Sequence, residues 1–160
     1  MNKFNIIFYF AIVLISFGAC KQDKKEALIS MDLLEYGFPL TIMAPDSAVV
    51  KKMNLTFQQD LTIKKGENYY VQIFSADATT LDAVKLKEEK LSEVQTNPYF
   101  SKVIRDDEHG FIYEKSIDST THNYDFIFVK ILGEKEFIHQ AGLTGGFNLE
   151  DVEVMYEAVQ

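Results

Sequence analysis

Residues 124–132 read YDFIFVKIL, and this segment is apolar on both faces of an extended chain. A strand covered on one face alternates apolar and polar residues, whereas a strand covered on both faces does not. The segment therefore predicts a central strand, and the rest of the fold is worked outward from it.

The segments on either side of this strand alternate with a period of two, which predicts further strands. Residues 99–105 pair with residues 111–116 across the polar turn 106–110, DDEHG. Residues 136–143 follow the central strand after a tight turn at Gly133 and Glu134.

Strand patterns also open the domain. Residues 38–42 alternate, and because proline cannot donate to a ladder, Pro39 predicts that this strand lies at an edge or begins irregularly. Residues 54–64 predict one bent strand or two short ones. Residues 69–74 form another strand after a turn at 65–68.

Two helices complete the pattern. Thr79 with Asp82 resembles a capping box at the start of a helix that ends near Gln95, before Pro98. Its predicted apolar face consists of Leu81, Ala83, Val84, Leu91 and Val94. Asn148 caps a final helix. The buried face of that helix is predicted as Leu149, Val152, Met155, Tyr156 and Val159.

The predicted order is therefore β-β-β-α-β-β-β-β-α, an α+β domain with an antiparallel sheet of six to seven strands, one long central helix and one C-terminal helix. This order, with the opening strand GFPLTIMAP at 37–45, resembles the PsbP-like fold. The resemblance implies a sandwich of sheet and helices, and a group that includes bacterial lipoproteins and non-enzymatic binding or assembly subunits.

The first twenty residues, MNKFNIIFYFAIVLISFGAC, have the parts of an export signal. Lys3 precedes an apolar run at 6–15, which is shorter than the roughly 20 residues that a membrane-spanning helix needs. Cys20 follows Gly18 and Ala19 and has no second cysteine to pair with.

This ending resembles the lipobox of bacterial lipoproteins. The resemblance implies cleavage before Cys20 and fatty acids on that residue, with residues 1–19 as signal peptide, 20–33 as lipidated tether and 34–160 as a single domain. Lys21 after the cysteine implies the outer membrane, facing either the periplasm or the outside. An ordinary signal peptide with a chance cysteine, and an uncleaved anchor helix, are the alternatives.

Composition excludes several classes of protein. The chain has 160 residues, 47% of them hydrophobic, 25% charged and 13% aromatic. Such a chain is too apolar for a disordered tail and too charged for a protein with several membrane spans. A net charge of −8 repels phosphate backbones, so we expect no nucleic-acid partner.

Chemistry is sparse in the sequence. Asp107 and His109 are weak metal candidates in a turn that suits an exposed hairpin equally well. His122 lies in a polar loop, and His139 alternates with apolar residues on a strand. We find no catalytic motif, so we predict no catalytic residue, no resident metal and no cofactor.

The aromatic strand 69–74 suggests a partner surface. Tyr69, Val71 and Ile73 point to one face, and the other face carries Tyr70, Gln72 and Phe74. If the first set is core, the second is a partner face for a protein or a glycan.

We therefore expect a lipid-anchored lipoprotein of the bacterial cell envelope, acting as a non-enzymatic binding or scaffold module for another envelope protein, with a membrane contact through its anchor. Two alternatives remain open. One is an envelope hydrolase that depends on a metal or on His109 or His139. The other is a carrier of a small ligand or lipid in a closed apolar cavity.

Overall fold

The structure is a computed structural model that describes residues 27–116, 118 and 120–160. Over these residues the strands and helices follow one another in a simple order. They are β1 (Leu28–Asp32), a short 3-10 helix (Leu34–Tyr36), β2 (Thr41–Pro45), β3 (Val49–Asn54), β4 (Gln59–Lys65), β5 (Tyr69–Asp77), α1 (Ala83–Gln95), β6 (Phe100–Asp106), β7 (Gly110–Ser116), β8 (His122–Leu132), β9 (Lys135–Ala141) and α2 (Leu149–Ala158).

Seven antiparallel strands form the main sheet in the order β3-β4-β5-β9-β8-β7-β6, and β1 pairs with β2 in a small second sheet. The α+β class is thus confirmed. Strand β8 is packed against α1 on one face of the sheet and against α2 on the other. This double cover explains why residues 124–132 lack an alternating pattern.

The larger core lies on the face of the sheet that α2 covers. Tyr69, Val71 and Ile73 point into it from β5, as predicted. Val152, Met155 and further residues of α2 close it, and the side chain of Asn148 accepts a hydrogen bond from the N–H of Asp151 at the predicted cap. The small sheet adds Ile42 and its neighbours to the same core.

The smaller core lies on the opposite face, under α1. It joins Leu86 of α1 to four buried residues of β7 and β8: Phe111, Tyr113, Ile127 and Val129. Because α1 lies over β8, it leaves the strands at the β3 end of this face without a helix in the part of the chain described here.

The start and the buried face of α1 differ from the sequence prediction. Asp82, not Thr79, is the cap, since its carboxylate accepts from the N–H of Lys85. Thr79 instead donates to Glu136, which holds it outside the helix. Leu81 is 77% exposed and Leu86 is buried in its place. The spacing of the apolar residues did not indicate which turn of the helix would pack against the sheet.

The N-terminal part of the domain also differs. Strand β1 and the fully buried Leu33 lie within the segment 20–33 that the sequence assigns to the tether, so the packed chain starts ahead of residue 34. Strand β1 is held by five residue pairs with β2. The signal segment 1–19, Cys20 and Lys21 lie outside the described residues.

Both alternatives for 54–64 are wrong, because this range holds a single strand, β4, and Leu55 and Phe57 lie in the turn ahead of it. Strand β3 ends at Asn54, the N–H of Leu55 donates to the carbonyl of Gln58, and β4 returns antiparallel to β3. Strand β3 is an edge of the main sheet, with β4 as its only strand neighbour there. Within the described ranges, no helix is both long and apolar enough to cross a membrane.

Candidate functional site

A three-strand surface on the α1 side of the sheet is the part of this face that α1 leaves uncovered; we call it the open half-face. Nine side chains of β3, β4 and β5 form it. The strand pairing arranges them in three rows: Val49, Lys64 and Tyr70; Lys51, Thr62 and Gln72; and Met53, Asp60 and Phe74. With strands about 4.8 Å apart and rows about 7 Å apart, the grid measures about 10 Å by 14 Å between its outermost Cα atoms.

The three partner-face residues predicted from sequence all belong to this surface, but they differ in exposure. Tyr70 and Phe74 are half-buried, whereas Gln72 is only 5% exposed. The edge strand is open, with Val49 56% and Met53 58% exposed. The surface therefore has an apolar outer edge, a polar centre and aromatic rings on its inner strand.

Asp60 and Gln72 form a hydrogen-bonded pair that joins the second and third rows of the open half-face. The Gln72 Nε2 donates to Asp60 Oδ2 at 2.6 Å. The other oxygens of the pair, Asp60 Oδ1 and Gln72 Oε1, are out of contact with solvent and have no hydrogen-bond donor among the described residues. An unmet buried acceptor is unfavourable for the folded state, and here two of them adjoin.

Tyr70 contacts Gly142 and Lys64, and it also packs against the larger core. Its ring lies across Gly142, where a Cβ would fall 2.2 Å from the ring carbon Cδ1, and its carbonyl accepts from the N–H of Gly142 at 2.8 Å. The Lys64 Nζ lies 5.0 Å from the ring centroid, within the range of a cation–π contact. Gly142, which directly follows β9, thus makes room for an aromatic ring.

The weak metal candidates do not assemble a site. Asp107 is engaged by Tyr156, whose hydroxyl donates to Oδ2 at 2.9 Å, and by Arg105 Nε at 2.6 Å. His109 contributes its backbone carbonyl to Val129 N–H. No group of three or more His, Cys, Asp or Glu side chains in the described segments is placed to hold a metal ion.

His139 lies in the larger core rather than in a cleft. It is fully buried, and its Nδ1 lies 3.0 Å from the carbonyl oxygen of Phe128. Burial lowers the pKa of the imidazole to about 4, so the ring is neutral at physiological pH. Nδ1 therefore donates to the carbonyl, and Nε2 has no partner in the described chain.

The densest polar cluster is one that sequence reasoning missed. Glu114 is 6% exposed, and its Oε1 accepts from Ser101 Oγ at 2.9 Å and lies 3.2 Å from His122 Nδ1. Its Oε2 accepts from the Tyr124 hydroxyl and faces Lys102. These contacts, the Ser101 hydrogen bond first, lower the pKa of the Glu114 carboxyl.

This cluster has some of the parts of a hydrolytic site but not their order. A buried carboxylate next to His122 Nδ1 is the arrangement that orients a general base. Ser101, however, donates its proton to the same carboxylate oxygen rather than to the ring. The only sequence signal was an acidic residue within the apolar strand FIYEKS.

A second buried carboxylate, that of Asp125, serves the sheet. Its Oδ1 accepts from the N–H groups of Phe126 and Ala141, and Lys115 Nζ lies 2.8 Å from Oδ2. The last backbone pair of β8 with β9 is Ile127 with Gln140, so the Asp125 side chain satisfies the N–H of Ala141 beyond it. Desolvation raises the pKa of this carboxyl.

A groove of about 440 Å³ lies between β1 and α2. Its lining is Leu28, Arg105, Glu150, Glu153, Val154 and Glu157. Arg105 forms ion pairs with Glu157 and with Asp107, which joins β6 to α2 along this groove. A lining with four charged side chains suits a polar ligand better than the lipid of the carrier hypothesis.

The open half-face and the Glu114 cluster are the two places where we find polar side chains arranged in a way that packing alone does not require. No protein-family model, no curated protein and no solved structure matches this chain. Assignment of a function therefore rests on the geometry of these two sites.

Proposed function

We propose that this protein is a lipid-anchored lipoprotein of the bacterial cell envelope, seated at the outer membrane, whose domain binds another envelope protein without catalysing a reaction. The lipobox-like ending at Cys20 supports the anchor. The element order of the domain supports the PsbP-like arrangement, with helices on both faces of one antiparallel sheet.

The observation that carries the binding proposal is the open half-face. Helix α1 covers this side of the sheet at β7, β8 and β9. A partner bound next to α1 would cover β3, β4 and β5. The surface carries Tyr70, Phe74 and Met53, residue types that are enriched at protein interfaces, next to groups that can form hydrogen bonds. Partner residues would meet Met53 and Phe74 with apolar groups and Asp60 with a donor.

Site-specific photo-crosslinking in living cells tests this role. The photoreactive amino acid p-benzoylphenylalanine replaces Thr62 at the centre of the open half-face, and in a control chain it replaces the exposed Glu153 on α2. We expect one discrete protein adduct from position 62 and none of that mass from position 153. The adduct should disappear when Phe74→Glu places a charge in the face. Equal adduct patterns at both positions, or none at position 62, would refute the proposal.

The anchor has its own test. Two fatty chains on Cys20 hold a protein stably at a bilayer, since each buried CH₂ contributes about 0.8 kcal/mol. Palmitate labelling should mark the wild-type chain, and Cys20→Ser should remove both the label and the membrane association. A Cys20→Ser chain that stays in the membrane pellet unchanged contradicts the lipid anchor.

A second candidate function, an envelope hydrolase, is favoured by the contact between Glu114 and His122. The partly exposed ring would act as the base, with the carboxylate holding it in place. Hydrolysis of an activated ester by the purified chain should then fall in His122→Gln and persist in His109→Gln. Equal rates of ester hydrolysis in the two variants would exclude the hydrolase function.

A further inference from the structure

Two unpaired acceptors adjoin in one corner of the open half-face. We call this corner, formed by Asp60, Gln72, Met53 and Phe74, the acceptor corner. Asp60 lies directly across from Phe74 on one side and from Met53 on the other. Neither Asp60 Oδ1 nor Gln72 Oε1 has a donor among the described residues, and the Gln72 side chain is 5% exposed and fixed by its hydrogen bond to Asp60.

The chemistry of the corner specifies what would complete it. Both free atoms are oxygens, so the missing group must bring at least two N–H or O–H donors. One of the oxygens belongs to a carboxylate, which favours a cation over a neutral donor. The neighbours of Asp60 across the strands are a ring and a thioether chain, which pack against the flat face or the stem of a long cationic side chain.

A guanidinium group meets these requirements together. It is planar and carries five N–H donors in a rigid fork, so it can bond two oxygens at once while its face lies on a ring. The same half-face already shows the pairing of ring and cation, because Lys64 of this chain lies over Tyr70 two rows away. The net charge of −8 steers a cationic partner toward the chain as a whole, and on the half-face, which also carries Lys51 and Lys64, Asp60 is the one carboxylate that could receive it.

We infer that the acceptor corner receives an arginine side chain of the protein partner, with the guanidinium bonded to Asp60 Oδ1 and Gln72 Oε1 and stacked on Phe74. This inference rests on the proposed function, since it names the group that the partner inserts into the same half-face. Because both oxygens are shielded from solvent in the free protein, the flanking side chains turn aside as the arginine enters.

Titration of the full chain, purified in detergent, with acetyl-arginine amide tests the inference by NMR. Acetyl-citrulline amide is the matched ligand, since it has nearly the same shape without the charge. We expect the Gln72 side-chain amide and the backbone amides of Asp60 and Phe74 to shift with the arginine compound alone. Asp60→Asn should weaken the interaction about tenfold, as loss of one charged hydrogen bond does. Glu67→Gln, which removes a charge from the far end of the same hairpin, should leave it unchanged.

The outcomes separate the inference from the proposed function. Equal shifts with both compounds, or no shifts, overturn the inference. Shifts with an N-acetylglucosamine oligomer but not with arginine also overturn it, since the corner would then bind a glycan. An adduct at position 62 in cells alongside any of these results leaves the proposed function in place, and loss of that adduct together with them removes both.

Discussion

Acidification should destabilise this protein through one buried imidazole, that of His139. Burial lowers its pKa from 6.5 to about 4, and the ring is fully enclosed, so solvent does not screen the effect. The unfolded chain takes up a proton at this ring as the pH falls through 6.5, whereas the folded chain does so only near 4. Between these values the unfolded state holds more protons, and stability falls as the pH falls.

The size of the effect follows from the two pKa values. Each unit of difference corresponds to about 1.4 kcal/mol, so the loss reaches about 3 kcal/mol by about pH 4 and vanishes well above the unfolded pKa. A loss of that size is a large fraction of the roughly 5–15 kcal/mol that holds a domain folded. Asp118, whose pKa is lowered to about 2, loses its contribution only as the pH falls below 3.8, outside this window.

Urea unfolding followed by circular dichroism, at pH values from about 7.5 to about 4.5, measures the loss. In His139→Leu the slope of stability against pH should flatten, because the titrating ring is gone while its volume is nearly kept. His109→Gln is the control and should keep the wild-type slope. A His139→Leu protein with the same slope as wild type would refute the reasoning, whatever its stability at neutral pH.

Other substitutions test the packing and the open half-face in the same unfolding assay. Asp125→Ala leaves the Lys115 ammonium and the N–H groups of Phe126 and Ala141 without this partner, and should lower the free energy of unfolding by about 3 kcal/mol. Asn148→Ala removes the cap of α2 and should cost about 1 kcal/mol. Gly110→Ala puts a Cβ 2.7 Å from a backbone carbonyl and should cost about 2 kcal/mol. Asp60→Val combined with Gln72→Leu removes both unmet oxygens, and should leave stability equal to or above wild type while abolishing arginine binding.

Several strands of the main sheet could be predicted because burial of one face produces an alternating sequence and burial of both faces an apolar one. Alternation located β5, β6 and β7, and its absence located β8. Strands β1 and β3 were missed because neither has a fully buried side chain, and each is defined by its pairing with a later strand of the chain. Local sequence does not record such a contact.

The helix α1 shows a different limit. Its polar side was assigned from charge, yet Lys87 is buried because Asp106 and Glu88 both pair with its ammonium. An argument from periodicity assigns every charged residue to the exposed side of a helix. A charged side chain is buried only where the tertiary structure provides ion-pair partners for it. Ala83, Leu91 and Val94 pack against the smaller core as predicted, whereas Leu81 and Val84 are exposed and Leu86 and Lys87 are buried instead.

The candidate site was predicted in outline but not in its essential pair. Placing Tyr70, Gln72 and Phe74 opposite the core strand face required only a period of two. That Asp60 lies across from Phe74 depends on the register of β4, which the turn at 65–68 sets. The sequence therefore indicated the surface, and strand pairing was needed to bring the carboxylate and the amide together.

Buried polar side chains in the described part of the chain fall into two kinds. Asp125, Glu136 and Lys87 each meet partners that the fold itself supplies. His139 and the Asp60–Gln72 pair do not: His139 leaves Nε2 unmet in the larger core, and the pair leaves two acceptors unmet in one place on the open half-face. On a solvent-exposed face both oxygens would be hydrated, and in a purely structural core apolar side chains would occupy these positions. Since the pair is neither, it presents two oxygens to donors that the described part of the chain does not supply.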